Sequence, residues 1–281
     1  MILRRNFLPH ILPDISATLF LSVCVAITFW FELFVVVPEF HAPGSLAYNL
    51  TFAAAVFLLL NVKGNMLAVM LVDTSIKGRI LTPPEDPEQK KQWRLCSVCE
   101  TMAPPRSWHC NTCKTCILKR DHHCLFTGCC IGHHNHRYFM MLMLFLFIGS
   151  TYASFYNHYF IWYHHAKMYK SYWTVLKLVM PLFMLTLDTT SGNFYLAIFE
   201  LNLIAIAISG MLLIYHGKII LKGGVVHERR KPMYNLGWKQ NLKIVFGERW
   251  YLVWILPFIE SKLPHDGIHW EKVGSNSAKN R

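Results

Sequence analysis

Long apolar runs alternate with polar connections along this chain. Four runs dominate: Ile15 to Val37, Leu46 to Val72, Tyr138 to Trp162 and Phe194 to Tyr215. The first is 23 residues long with one charge, Glu32, near its end. A helix needs about 20 apolar residues to cross the hydrocarbon core of a bilayer, and all four runs meet that length. A chain of 281 residues cannot bury them all in a soluble core. The pattern predicts an all-α polytopic membrane protein with four transmembrane helices, at about 15–37, 46–72, 138–162 and 194–216. The first run is too long for a signal-peptide core and no small-residue cleavage site follows it, so it reads as a retained anchor. A fifth apolar stretch, Trp173 to Leu187, is short and carries Lys177 and Pro181. It is expected to lie at the lumenal interface or against the spans.

Composition agrees with this reading. Hydrophobic residues make up 53% of the chain and charged residues 16%, where about 25% charged is usual. The net charge of +12 is a matter of topology, because Lys and Arg gather on the cytosolic side of membrane proteins. Ten lie between Asp73 and Arg137, twelve between Gly217 and Arg281, and none in Pro38 to Ser45. Both termini and the central segment are therefore expected in the cytosol. The expected organisation is a helix pair in 1–72, a linker in 73–92 around Thr82 to Pro87, a cysteine-rich domain in 93–137, a second helix pair in 138–216 and a cytosolic tail in 217–281. Lys63 is expected to snorkel from the end of the second span.

Eight of the nine cysteines fall between Cys96 and Cys130. In a cytosolic segment such clustering points to metal or catalysis, not disulfides. The order is Cys96-x2-Cys99, then His109, Cys110, Cys113 and Cys116, then His123, Cys124, Cys129 and Cys130. Zinc takes four Cys or His ligands, and Cys-x2-Cys pairs suit it. Six thiolates and two histidines would close two sites and leave Cys124 and Cys129 free. The segment has little apolar content, so metal would supply its folding free energy and give a zinc-binding domain of short strands and loops.

"RDHHC" at Arg120 to Cys124, with Pro105-Arg106, Gly132, Asn135 and Phe139 around it and spans on both sides, resembles the DHHC protein S-acyltransferase (palmitoyltransferase) family. That resemblance implies two structural zinc ions, one held by Cys96, Cys99, His109 and Cys116, the other by Cys110, Cys113, His123 and Cys130. It implies that Cys124 accepts the acyl group, that His122 is its base and that Asp121 orients His122. It implies a long-chain acyl-CoA as donor, cysteine-containing proteins at the membrane as acceptors, and a place in the endoplasmic reticulum or Golgi. The chemistry is coherent, since a thiolate is the reactive form of Cys, an imidazole can take its proton, and a carboxylate can fix the imidazole tautomer. Each buried CH2 of an acyl chain is worth about 0.8 kcal/mol, so a long chain would bind among the spans. Lys119, Arg120 and Arg137 are candidates to meet the CoA phosphates, and Phe126 to meet the acyl chain.

Some positions depart from the family. Leu125-Phe126 stands where Pro-Trp is usual, and Asp73-Thr74-Ser75 where Asp-Pro-Gly is usual. Val225-Val226-His227-Glu228 stands in place of Thr-Thr-x-Glu. A threonine hydroxyl there would help hold the catalytic carboxylate, which the Val226 side chain cannot do, so the departure bears on rate more than on mechanism. The alternative is a membrane-anchored zinc scaffold that acylates weakly. Nucleic-acid binding is not expected of a module held at a membrane by four spans. Asn241, in "GWKQNLKIVFG", is expected to tie backbone.

Overall fold

The computed structural model describes residues 2–228 and 233–270; the end of the tail, 271–281, lies outside the described residues. Four helices among them are long and apolar enough to cross a membrane: Leu12–Phe40, Leu46–Leu71, His136–His164 and Ser191–Leu221. Each is built on one of the four runs, and the first, third and fourth extend beyond them. Between 22% and 50% of each apolar window is buried. The remaining apolar surface is more than a water-soluble monomer exposes and suits lipid. The stretch Trp173 to Leu187 forms two short helices, Trp173–Val179 and Pro181–Leu187. The break falls at Pro181, which lacks an N–H and starts the second helix.

The described residues group into two compact units. One comprises 21–63 and 143–212. Its core is aromatic: Phe31 packs edge-on against Phe160 and Phe194, with Ile161 and Leu196 beside them. Glu32 and Asn157 are among the buried polar side chains of this unit, and Asn157 donates from Nδ2 to Glu32 Oε1. A turn of π-helix runs through Glu32–Val36 and another through Phe160–His164. Lys63, within the second run, is half-buried. It donates from Nζ to the Ser22 carbonyl on the first helix at 2.8 Å.

The other unit holds the described residues of Met1–Phe20, Gly64–Leu142 and Leu213–Arg281. It is built on three antiparallel hairpins, β1 (Arg94–Cys96) with β2 (Thr101–Ala103), β3 (Trp108–Cys110) with β4 (Thr115–Ile117), and β5 (His122–Cys124) with β6 (Cys129–Ile131). Each strand is three residues long, too short to bury a core of its own. Other segments brace them. Thr74 and Ile76 bond across to β4 and its neighbour, with Leu118 N donating to Thr74 O at 2.9 Å and Ile76 N to Cys116 O at 3.1 Å. The amino-terminal residues pair with the end of the second helix, Leu3 opposite Val72. Asn241 acts as expected of an amide, accepting from Leu236 N and donating to the Leu221 carbonyl.

Candidate active site and metal centres

Two of the hairpin turns are alike. In each, a cysteine ends a strand, a second cysteine follows in the turn, and the next residue adopts a positive φ, 50° at Glu100 and 51° at Lys114. Strand geometry then sorts the ligands. Successive side chains of a strand face opposite ways, and residues paired across a hairpin share a face. His109 pairs with Cys116, and their group is completed by Cys96 and Cys99. Cys110, next to His109 on β3, belongs to the other group, with Cys113, His123 and Cys130. His123 and Cys130 are themselves a cross-strand pair.

In each group the candidate ligand atoms lie within 4.8 Å of one another. His109 Nδ1 is 3.3 Å from Cys99 Sγ and 3.7 Å from Cys96 Sγ. His123 Nδ1 is 3.4 Å from Cys113 Sγ and 3.8 Å from the sulfurs of Cys110 and Cys130. Three thiols and an imidazole nitrogen converging in this way are a donor set for a tetrahedral metal, and these residues could hold one metal ion per group. The other nitrogen of His123 meets Asp14, at the start of the first helix, with Nε2 3.0 Å from Oδ2. A carboxylate behind a ligating imidazole fixes its tautomer and orientation. Asp14 was not singled out in the sequence; an acid just ahead of the first apolar run was its only signal.

The same two-residue period separates the candidate metal ligand from its neighbours on β5. His123 faces the thiols, so His122 and Cys124 share the opposite face. His122 Nδ1 donates to Asp121 Oδ2 at 2.8 Å, and its ring also interacts with the Cys124 thiol. Asp121 is 1% exposed and Cys124 8%. Burial opposes charge on all three groups, and their contacts overcome it. His122 and His216 hold Asp121 well below the usual carboxylate range. Asp121 and Cys124 push His122 up to about 9. His122 lowers the Cys124 thiol. The trio favours a thiolate facing an imidazolium. Cys129, opposite Cys124 in the hairpin, is in neither ligand group. Burial pushes its thiol up to about 11.

Asp121 is held at both oxygens. The Val226 backbone N–H donates to Oδ1 at 2.9 Å. His216, on the fourth helix, places Nδ1 3.1 Å from Oδ2. The side chain of Val226 indeed contributes no bond, but the main chain supplies the donor that a threonine hydroxyl was expected to provide. His216 also escaped the sequence reading; a lone imidazole at the end of an apolar run was its signal. With His136, it and Asp121 form a third, fully buried group of metal-type donors.

The basic residues near the motif differ in exposure. Lys119 is 2% exposed and packed inside the unit. Arg137 is also buried, its guanidinium engaged by the Ile259 and Ser261 carbonyls and by Tyr138. Arg120 contacts His227 at 2.9 Å. Leu125 and Phe126, just after Cys124, are exposed.

Comparison with known proteins agrees with this geometry. Residues 89–232 match the family model described as DHHC palmitoyltransferase. The chain is 36% identical over 244 residues to the mouse protein "Probable palmitoyltransferase ZDHHC24", covering 82% of this chain and 81% of that one. It is 34% identical to the human protein of that name over 80% of this chain and 79% of the relative. It is 30% identical to the human "Palmitoyltransferase ZDHHC21", with 78% of each chain covered.

Proposed function

The chain belongs to the DHHC palmitoyltransferase family, and from that premise we propose that Cys124 carries the acyl group, with His122 as base and Asp121 as its orienting carboxylate. The protein is a membrane-embedded protein S-palmitoyltransferase. The observation that carries the assignment of roles is the Asp121 to His122 contact at 2.8 Å, on the strand face that His122 shares with Cys124.

The donor is a long-chain acyl-CoA. With its proton taken by His122, Cys124 Sγ attacks the thioester carbon, the bond to the CoA sulfur breaks, and His122 gives that proton to the departing CoA thiolate. A cysteine thiolate of a substrate protein then attacks the acyl-enzyme, and Cys124 is regenerated. This two-step route gives ping-pong kinetics. The exposed Leu125 and Phe126 lie against the acyl chain, and of Lys119, Arg120 and Arg137 the least buried, Arg120, is the first candidate to meet CoA phosphates. Zinc is the metal suited to both ligand sets, one ion in each, and it serves structure: with His123 locked, β5 is rigid and His122 keeps its direction. The module of 93–137 and both termini face the cytosol, in line with the ten and twelve basic residues of the central segment and tail. The compartment is endoplasmic reticulum or Golgi, and the acceptors are cysteines of proteins at that membrane, with no nucleic-acid partner. A weakly acylating scaffold rested on Leu125 and Val226, and the N–H that Val226 gives to Asp121 weakens the second of these reasons.

The test is intact-mass analysis of the purified protein after palmitoyl-CoA, comparing wild type with Cys124→Ser. A hydroxylamine-labile adduct on wild type alone is expected. An adduct that persists in Cys124→Ser, or none on a folded, zinc-loaded wild type, overturns the assignment.

A further inference from the structure

Arg106 is 4% exposed and grips both ends of one short loop. Its guanidinium donates to the Gly223 carbonyl at 2.8 Å, where the loop begins. It also donates from Nε and Nη2 to both oxygens of Glu228, at distances from 2.6 to 3.1 Å, where the loop ends. Between these two points sits Val226, whose N–H holds Asp121. The loop can close only at a glycine. Gly223 has φ of +70°, and a Cβ there would come within 2.5 Å of the Tyr234 carbonyl.

Arg106 is itself held by aromatic rings. Its guanidinium carbon lies 4.4 Å from the ring centre of Tyr234 and 4.5 Å from that of Trp270. Both rings are more than nine-tenths buried and belong to one apolar cluster with Ile244. Trp270 is anchored in turn, its indole N–H donating to the Gly267 carbonyl at 3.1 Å, and Gly267 packs against His133. Arg106 also bears a positive φ of 63°, a conformation costly for a residue with a side chain. Its surroundings therefore have to hold it in place.

We infer that Trp270, in the carboxy-terminal tail and far in sequence from the DHHC motif, is a positioning residue for the acylation step. It fixes Arg106, Arg106 fixes the Gly223–Glu228 loop, and the loop aims the Val226 N–H at Asp121. Aromatic faces attract guanidinium groups most strongly where water is excluded, and this one is buried. The inference rests on the assignment of Asp121, His122 and Cys124 given above.

The experiment uses the full chain in nanodiscs and follows acyl-enzyme formation from palmitoyl-CoA. Trp270→Ala is expected to lower the rate at saturating palmitoyl-CoA about fivefold, a part of the loss expected when the whole Val226 N–H bond to the charged carboxylate is removed. KM and zinc content should stay unchanged. Trp270→Phe, which keeps a ring face, should stay within about twofold of wild type by the same reasoning. Trp270→Leu keeps bulk without a π face and should behave like Ala, which covers the case of an Ala variant that does not fold. In a Val226→Pro background, where the N–H is gone, Trp270→Ala should cause no further loss. Equal rates in wild type and both non-aromatic variants overturn the inference. So does a loss that is as large in Val226→Pro as in wild type, or a Phe variant as slow as Leu. A wild type that forms no adduct at Cys124 instead overturns the proposed function on which the inference rests.

Discussion

The backbone N–H of Val226 donates to Oδ1 of Asp121 at 2.9 Å, so a residue with no polar side-chain atom helps to hold the buried carboxylate of the site. The other oxygen of Asp121 serves His122. Val226→Thr should therefore change the rate of acyl-enzyme formation by less than about twofold, because the donor is already present. Val226→Pro removes the N–H, and a hydrogen bond to a charged group is worth about 1.5–3 kcal/mol. A loss of roughly tenfold or more is expected by that measure. Single-turnover labelling with palmitoyl-CoA measures both, and a large gain from Val226→Thr would show that the main-chain bond is not an adequate substitute.

Asp14 stands behind one metal group only, through His123 Nε2. Removing such a carboxylate typically weakens metal binding by about 10–100-fold. Asp14→Ala should accelerate zinc release to a chelator from the site of Cys110, Cys113, His123 and Cys130. Release from the site of Cys96, Cys99, His109 and Cys116 should be unaltered. Uniform acceleration of both phases would mean that Asp14 acts on the module's fold and not on His123.

The three hairpins have three-residue strands and small cores in which cysteines are prominent, such as Cys110, Ile117 and Cys130. Complete chelation should remove amide-exchange protection from Cys96 to Ile131 and abolish acylation, while the long helices keep their circular-dichroism signal. Restoring zinc should restore both. Full acylation by metal-free protein would refute the view that metal holds β5 in place.

Lys119 is a buried lysine, and burial, helped by Arg106, lowers its pKa from 10.5 to about 7. The unfolded chain keeps this lysine protonated up to about 10.4. Between pH 7 and 10 the folded state thus binds fewer protons than the unfolded state, and stability rises with pH over that window. Below pH 7 the full cost of burying the charge applies. Lys119→Met should raise the thermal midpoint most at pH 7 and below, and flatten the rise above it. His133 and His134, also lowered, bind fewer protons folded than unfolded only below their usual value near 6.5, so they do not confuse the reading. A gain that does not vary with pH would place the proton on Lys119 throughout.

The sequence by itself determined much of this protein. Apolar runs long enough to cross a bilayer announce four helices, because run length is a local property and the hydrocarbon core has a fixed thickness. The Cys-x2-Cys spacings and the DHHC motif, Asp121 to Cys124, announce candidate metal groups and a candidate nucleophile for the same reason: the chemistry is written in neighbouring residues. Even the split between His122 and His123 follows from a strand's period of two, once β5 is known to be a strand. Only the tertiary structure decided what meets Asp121. Val226 and His216 reach it across 105 and 95 positions of sequence, and a backbone N–H leaves no signature in residue identity. It likewise decided that Lys119 is buried, since adjacency to a motif says nothing about which way a side chain points. Asp14 behind His123, and Trp270 behind Arg106, are decided in the same way. Contacts between distant segments depend on how the chain packs, and packing is set by all the surfaces buried together and not by any one stretch.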